Sequence, residues 1–236
     1  MKVLDESRSE FVSNVSHELK TPMTSMKVLA DSLVGQQGVP EDLYQEFMRD
    51  ITAEIDRENR IITDLLTLVK MDKKNADLQI QHMSINQLLE DILKRLRPIA
   101  DKRNIDLILD SFRPVEADVD ELKFTSAISN LVENAIKYNV DDGWVRVSLD
   151  ADHKFFYVTV ADSGMGIPED SLSRIFERFY RVDKSHSREI GGTGLGLAIT
   201  RSTIGMHHGV IKVFSKEGKD YFSVVSTVIY SVGGAG

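Results

Sequence analysis

The stretch Asn130-Leu131-Val132-Glu133-Asn134-Ala135-Ile136-Lys137-Tyr138 carries two patterns at once. Ile128, Leu131 and Ala135 recur at helical spacing, which predicts the buried stripe of a helix spanning Glu121 to Tyr138. Asn130, Asn134 and Lys137 fall at i, i+4 and i+7 on the opposite face, where two amides and an ammonium stand side by side. A solvated helix face can carry the same triad, so the neighbours decide. Downstream, strands are expected at Trp144 to Leu149 and Phe155 to Ala161. The second runs into Asp162-Ser163-Gly164-Met165-Gly166-Ile167-Pro168, a turn with paired glycines. Gly192-Thr193-Gly194-Leu195-Gly196-Leu197 then opens a helix expected from Leu195 to His207. Glycines at a helix start let backbone amides approach an anion, and the helix N-terminus favours negative charge. Strands at Val210 to Phe214 and Tyr221 to Tyr230 follow.

Upstream of the quoted stretch, Ser84-x-x-Gln87 is a capping-box signature opening a helix with Ile85, Leu88, Leu89, Ile92 and Leu96. Strands are expected at Ile105 to Leu109 and Val115 to Val119. The region from residue 84 to 232 therefore reads as an α+β sandwich, with helices on one face of a mainly antiparallel sheet. No G-x-x-x-x-G-K-[ST] occurs, which excludes a Walker-type nucleotide site. The glycine spacing GxGxG, with no strand leading directly into it, excludes a Rossmann reading.

The N-terminal third has a different period. From Glu6 to about Gly35, Val12, Val15, Leu19, Pro22 or Met23, Met26, Leu29 and Leu33 form one helical stripe. Pro22 should interrupt or kink that helix. Residues 35 to 40 read as a turn. A second helix is expected from Glu41 to Met71, with Leu43, Phe47, Ile51, Ile55, Ile62, Leu65 and Val69 on one face. Two such helices make an antiparallel hairpin, and a dimeric four-helix bundle would cover what a lone hairpin exposes. The expected organisation is a hairpin at residues 1–74, a charged linker at 75–83 and the sandwich at 84–232.

His17 lies roughly 165° from the centre of the first helix's stripe, so it should face solvent, with Thr21 on the same face and Glu18 about 100° to one side. Imidazole offers an unprotonated, nucleophilic nitrogen near neutral pH. A carboxylate beside it can orient the ring and take its other proton.

A formal charge of −8 argues against broad nucleic-acid binding. The absence of cysteine excludes disulfides, thiolate catalysis and cysteine-bound metals. No apolar run approaches the roughly 18–20 residues that cross a bilayer, and Met1 to Glu10 does not resemble a signal peptide.

Ser16-His17-Glu18-Leu19-Lys20-Thr21-Pro22, within Phe11 to Met26, resembles the H-box of two-component sensor histidine kinases. Residues 130–138, 162–168 and 192–197 resemble the N, G1 and G2 boxes of the GHKL (Bergerat-type) ATPases, and Ile175-Phe176-Glu177-Arg178-Phe179-Tyr180-Arg181 resembles the F-box. The boxes stand in the family's order from Phe11 to Tyr230. The resemblance implies an ATP-dependent kinase that phosphorylates itself on His17 and passes the phosphoryl group to an aspartate of a response-regulator receiver domain. It further implies that Glu18 orients the imidazole and acts as general base, that Thr21 serves a phosphatase activity on the receiver, and that Arg181 contacts the γ-phosphate. Asn130 would ligate Mg²⁺. Asn134, Lys137 and Tyr138, Asp162 with Gly164 and Gly166, and Gly192, Thr193, Gly194, Leu195 and Gly196 would bind ATP. Arg178 is either a second phosphate contact or a surface residue. Asp162 would accept from the adenine amino group, favouring adenine over guanine. Ser163 departs from the usual Asn, and Met206-His207-His208-Gly209 from Leu-His-Gly-Gly. Residues 184 to 191 would form a mobile lid. A homodimer is implied, as is a cytoplasmic place for this part of a protein anchored to an inner or plasma membrane through an upstream region. A non-catalytic docking scaffold and a plain ATPase clamp are the rivals; both leave some of the boxes unexplained.

Overall fold

The computed structural model describes residues 2–34, 39–71, 78–182, 192–215 and 225–231. The expected turn at 35–40, much of the linker, the lid and part of the last strand therefore lie wholly or partly outside the described residues.

Helices α1 (Lys2–Val34) and α2 (Glu41–Met71) pack against each other as a hairpin. Pro22 does not interrupt α1, which runs through it. Losing one amide donor costs a long helix a single bond, while Pro22 is itself buried and takes its place in the stripe ahead of the exposed Met23. On α2 the fully buried residues are Ile61 and Leu68, whereas Leu43, Ile55, Ile62 and Val69 of the expected stripe are exposed in the single chain. The helix thus has two apolar faces. One is uncovered in the single chain, and the other meets the sandwich at Leu68.

Strand β1 (Ile80–Ser84) takes up residues 80–83 of the expected linker and ends on Ser84, and it pairs antiparallel with β3 (Glu116–Asp120) in a two-stranded sheet of their own. The sequence hides it because Ile80, Gln81 and His82 are all exposed. Helix α3 (Ile85–Asp101) starts on Ser84, whose hydroxyl accepts from the Gln87 amide. The reciprocal half of the capping box is missing, since the Gln87 side chain donates to Asp91 instead.

Beyond α3 come β2 (Asp106–Ser111), then β3, α4 (Glu121–Lys137), β4 (Trp144–Ala151), β5 (Phe155–Asp162), α5 (Gly196–Met206), β6 (Val210–Phe214) and β7 (Val225–Ser231). The main sheet has strand order β2-β4-β5-β7-β6, parallel only between β2 and β4. Helices α3, α4 and α5 lie together over it, and the core between holds Leu89, Ile92, Phe124, Ile128, Val132, Val147, Phe156 and Ile204. This is the expected α+β sandwich following a helical hairpin.

The histidine pair after α5 has a structural task. The His207 ring is buried, donates from Nδ1 to the Thr203 carbonyl at 2.8 Å, and accepts at Nε2 from the Asp120 amide at 2.9 Å. Asp120 is in turn the N-cap of α4, accepting from the Lys123 and Gln79 amides. One carboxylate and one imidazole thereby tie the start of α4, the end of α5 and the entry of β1.

Candidate functional site

The buried stripe of α4 fixes what its other face presents. Ile128, Leu131 and Ala135 are buried, which leaves Asn130, Asn134 and Lys137 half-exposed on the opposite side. Asn130 meets the start of α5: its Nδ2 donates to the Gly196 carbonyl at 3.5 Å, and a Cβ at Gly196 would sit 3.6 Å from the Asn130 amide carbon. At the other end of α4, a Cβ at Gly192 would lie 3.4 Å from the Tyr138 hydroxyl and 3.8 Å from Lys137 Nζ. The glycine-rich segment therefore runs along the polar face of α4.

Gly194 has φ +70°, and a Cβ there would strike the Phe179 backbone at 2.9 Å. The Phe179 amide donates to the Gly194 carbonyl at 2.9 Å, and Phe179 itself adopts φ 64°. These contacts seat residues 175–181 against the glycine segment and bring Arg181 close enough for its charge to act on Lys137 and Tyr138. Burial, then the positive charge of Arg60, holds the Lys137 ammonium below the ordinary lysine range, and burial raises the Tyr138 phenol. Arg178 is half-buried.

Asp162 is buried at the end of β5 and accepts from the Gly164 amide at 2.8 Å. The following turn, with Gly166 at φ 77°, hangs from the end of α4 through the Met165 amide, which donates to the Tyr138 carbonyl at 3.2 Å. Ser163 is where the sequence departs from the usual Asn. Its hydroxyl accepts from the Trp144 amide at 2.8 Å and donates to Asn139 Oδ1 at 2.9 Å. Gly143 permits this closeness, because a Cβ there would lie 2.6 Å from the Ser163 oxygen.

Three segments far apart in sequence thus converge on one surface of the sandwich. His17 lies elsewhere. It is exposed on α1, beside a groove of about 710 Å³ lined by Lys20, Thr21, Thr24, Val28 and Leu29. The Thr21 hydroxyl donates to the His17 carbonyl at 3.1 Å, and Glu18 is half-buried. Among the described contacts, none joins His17 to the convergent segments.

Sequence reasoning missed how α2 reaches the glycine segment. Thr193 donates to Asp64 at 2.8 Å and accepts from the Leu195 amide at 3.2 Å. Beneath, Leu68, Leu195 and Ile199 form an apolar cluster with Leu65, Met71 and Phe179. Burial raises the Asp64 carboxyl. The spacing of Ile61, Asp64 or Leu65, and Leu68 is the signal that could have revealed this second face. Arg103 and Asn139 were passed over as well: Arg103 donates to the Ile136, Lys137 and Asn139 carbonyls, and Asn139 donates to the Trp144 carbonyl and accepts from the Ser163 hydroxyl, contacts that no sequence pattern announces.

Comparison with known proteins gives this geometry its setting. Residues 7–74 match the His Kinase A (phospho-acceptor) domain, and residues 119–229 match the histidine kinase-, DNA gyrase B- and HSP90-like ATPase family. Sensor histidine kinase WalK of Bacillus subtilis is 35% identical over 219 residues, covering 92% of the chain. The chain belongs to the sensor histidine kinases. Sensor protein kinase WalK of Staphylococcus aureus matches at the same identity, and the chain spans 36% of the Bacillus relative and 52% of the Staphylococcus one. Among solved structures, the Acinetobacter baumannii histidine kinase AdeS shares the fold with a TM-score of 0.72 at 23% identity, over 92% of this chain and 98% of that one. Histidine kinase ThkA, solved in complex with response regulator protein TrrA, shares it with a TM-score of 0.77 at 23% identity, over 95% of this chain and 61% of that one. No described helix is long and apolar enough to cross a membrane.

Proposed function

We propose that the chain is the catalytic part of a protein-histidine kinase that phosphorylates itself on His17 with Mg-ATP and hands the phosphoryl group to an aspartate of a response regulator. The observation that carries this reading is the convergence of α4's polar face, the glycine segment and Asp162 on one surface, in a chain whose hairpin exposes an imidazole beside a groove.

The residues present suit the nucleotide. Asp162 is a buried, acceptor-only carboxylate, matched to an exocyclic amine. Lys137 and Arg181 supply positive charge at the end of α4 next to Gly192, where glycines leave room for phosphate oxygens. Asn130 uses its amide nitrogen on Gly196, so its oxygen is the atom a hard cation such as Mg²⁺ would take. Bound Mg²⁺ would neutralise charge between phosphates. Asn134 lies between these groups on the same face, and Thr193, Leu195 and Gly196 carry amides into the start of α5.

In the transfer, a ring nitrogen of His17 forms a bond to the γ-phosphorus as the bond to the β-phosphate bridging oxygen breaks, and ADP leaves. Glu18 orients the imidazole and takes the proton it sheds. The receiver's carboxylate then displaces the imidazole. Thr21 supports a phosphatase activity on the receiver, since its oxygen keeps lone pairs to accept from an attacking water while it donates to the His17 carbonyl. Arg178 is a second contact for the phosphates. Residues 1–74 form the dimerising, phosphate-accepting unit, and 84–232 the ATP-binding unit. A second copy of the hairpin covers the exposed face of α2. The whole protein is anchored to a membrane through a region upstream, with this part in the cytoplasm.

The test is incubation with γ-labelled ATP and Mg²⁺. Label stable to alkali, labile to acid and lost in His17→Gln is the expected result. Wild-type chain that binds ATP yet stays unlabelled in dimeric form would reject the reading.

A further inference from the structure

We propose that Arg103 is a positioning residue of the nucleotide site: its guanidinium fixes the turn after α4, and the Asn139–Ser163 pair carries that constraint to Asp162. The proposal rests on the reading that Lys137, Tyr138 and Asp162 bind ATP. Its own content is how two halves of that site, separate in sequence, are held in register.

A helix leaves its last carbonyls without intrahelical donors, and a cation there is favoured by the helix dipole. Arg103 meets both needs from the turn after α3. Its Nη1 donates to the Ile136 carbonyl at 2.9 Å and the Lys137 carbonyl at 3.0 Å; its Nη2 donates to the Asn139 carbonyl at 2.8 Å. Nε donates to Asp141 at 3.0 Å, and the Asp142 amide returns a bond to the Arg103 carbonyl at 3.2 Å. One planar fork thus grips the residues on both sides of Tyr138. Lysine cannot do this, because an ammonium is a single point on a flexible stem.

From this turn two links run to the Asp162 loop. The Tyr138 carbonyl accepts from the Met165 amide. Asn139, buried and gripped through its carbonyl, donates to the Trp144 carbonyl at 3.0 Å and accepts from the Ser163 hydroxyl at 2.9 Å. Ser163 follows Asp162 directly, and its amide donates to the Trp144 carbonyl at 3.1 Å. The hydroxyl at 163 therefore bridges the two halves of the site at the position where the sequence departs from the usual Asn.

Trp144, the chain's single tryptophan, sits inside this bridge and reports on it by fluorescence. The experiment measures ATP affinity by calorimetry and Trp144 emission on the full chain, for wild type, Arg103→Gln, Arg103→Lys, Ser163→Ala and the double variant Arg103→Gln/Ser163→Ala. Arg103→Gln should weaken ATP binding by roughly tenfold, the worth of one well-placed hydrogen bond to a charged group, with Arg103→Lys between it and wild type. Saturating ATP should restore most of the autophosphorylation rate, so KM moves more than kcat. Ser163→Ala should weaken binding in the same sense, and the double variant should lose less than the product of the single losses, because both act through one bridge. A purely structural role predicts a lower melting temperature with unchanged affinity of the folded form. That outcome, or losses that multiply, overturns the proposal. Should Arg103→Gln not fold, Arg103→Lys and Ser163→Ala decide it alone. Wild-type chain that fails to bind ATP would overturn the nucleotide reading itself; wild-type binding with unaltered variants overturns this inference only.

Discussion

His207 offers the sharpest test of how the ATP-binding half is held together. Its ring must be neutral to accept the Asp120 amide at Nε2 while donating from Nδ1 to the Thr203 carbonyl. A second proton would set a donor against a donor. Burial accordingly pushes the imidazole below its ordinary value, helped by the charges of Lys123 and His208 and opposed by the Asp120 carboxylate and the bond to Thr203. In His207→Ala the buried Asp120 amide loses its acceptor, costing about 1–3 kcal/mol. The edge-to-face contact with Phe124, centroids 6.0 Å apart, is lost too, for about 0.5–1.5 kcal/mol more. The expected destabilisation is about 2–4 kcal/mol at pH 8, within the roughly 5–15 kcal/mol of an ordinary domain. The sign of the pH effect follows from the depressed value. Above the unfolded histidine pKa, about 6.5, both states are neutral and the contribution is complete. Below it the unfolded chain binds the proton first, so stability falls as pH drops through the folded value, by at most about 1.4 kcal/mol per pH unit. Urea unfolding followed by Trp144 emission at pH 8, 6.5 and 5.5 should show the gap between wild type and His207→Ala narrowing with acid. A gap that stays constant would refute the neutral-acceptor geometry.

Four further outcomes follow from other contacts. Asp162→Asn replaces an acceptor-only group with one that also donates, so ATP affinity should drop by about 1.5–3 kcal/mol, read by calorimetry, with discrimination against GTP reduced. Gly194→Ala forces a side chain into a φ of +70° against the Phe179 backbone, and should lower stability by about 2 kcal/mol or more in urea unfolding while weakening ATP binding. Thr193→Val leaves the half-buried Asp64 carboxylate without its hydroxyl partner, and hydrogen exchange should reveal faster opening of α5 amides at the α2 contact. His82 holds Asp118 and Glu116 across the β1–β3 pair, and these two hydrogen bonds raise its pKa; their contribution is present at low pH and lost as pH rises through the raised value. NMR titration should find that value above the ordinary one, falling in Asp118→Asn.

Much of the fold was legible because its elements obey simple periods. The polar triad of α4 sits opposite a buried stripe, and β6 and α2 begin and end where turn residues and periodicity place them. Strand β1 was not legible: a two-stranded pair with an exposed face leaves no alternation to read, and its partner β3 belongs to the small sheet rather than the main one. The glycine segments, Asp162 and the exposed His17 could be singled out because their chemistry resides in side chains or in missing ones. Arg103 and Asn139 could not, since their value lies in which carbonyls they reach across a turn.

The two faces of α2 bear on how such a chain works. Ile62 and Val69 are exposed on one side, while Ile61 and Leu68 are buried on the other, each pair offset by a single residue. An amphipathic helix with one stripe serves one neighbour, and a hairpin that only dimerised would need no more. Leu68 instead shares a cluster with Leu195, the N-cap of α5, and Ile199 within it, close in sequence to the Thr193 hydroxyl that donates to Asp64. On the proposed reading, in which a triphosphate occupies the glycine segment, the Asp64 carboxylate beside those amides would repel the incoming anion, so its release from Thr193 would favour nucleotide binding. By reciprocity, if a movement of α2 changes the affinity for the nucleotide by some factor, nucleotide binding would change the equilibrium of that movement by the same factor. Exchanging Asp64 for Asn keeps a hydrogen-bond acceptor for Thr193 but removes the charge, and should therefore tighten ATP binding while leaving AMP binding unaltered. Equal changes for both nucleotides would show that the contact acts on shape and not on charge.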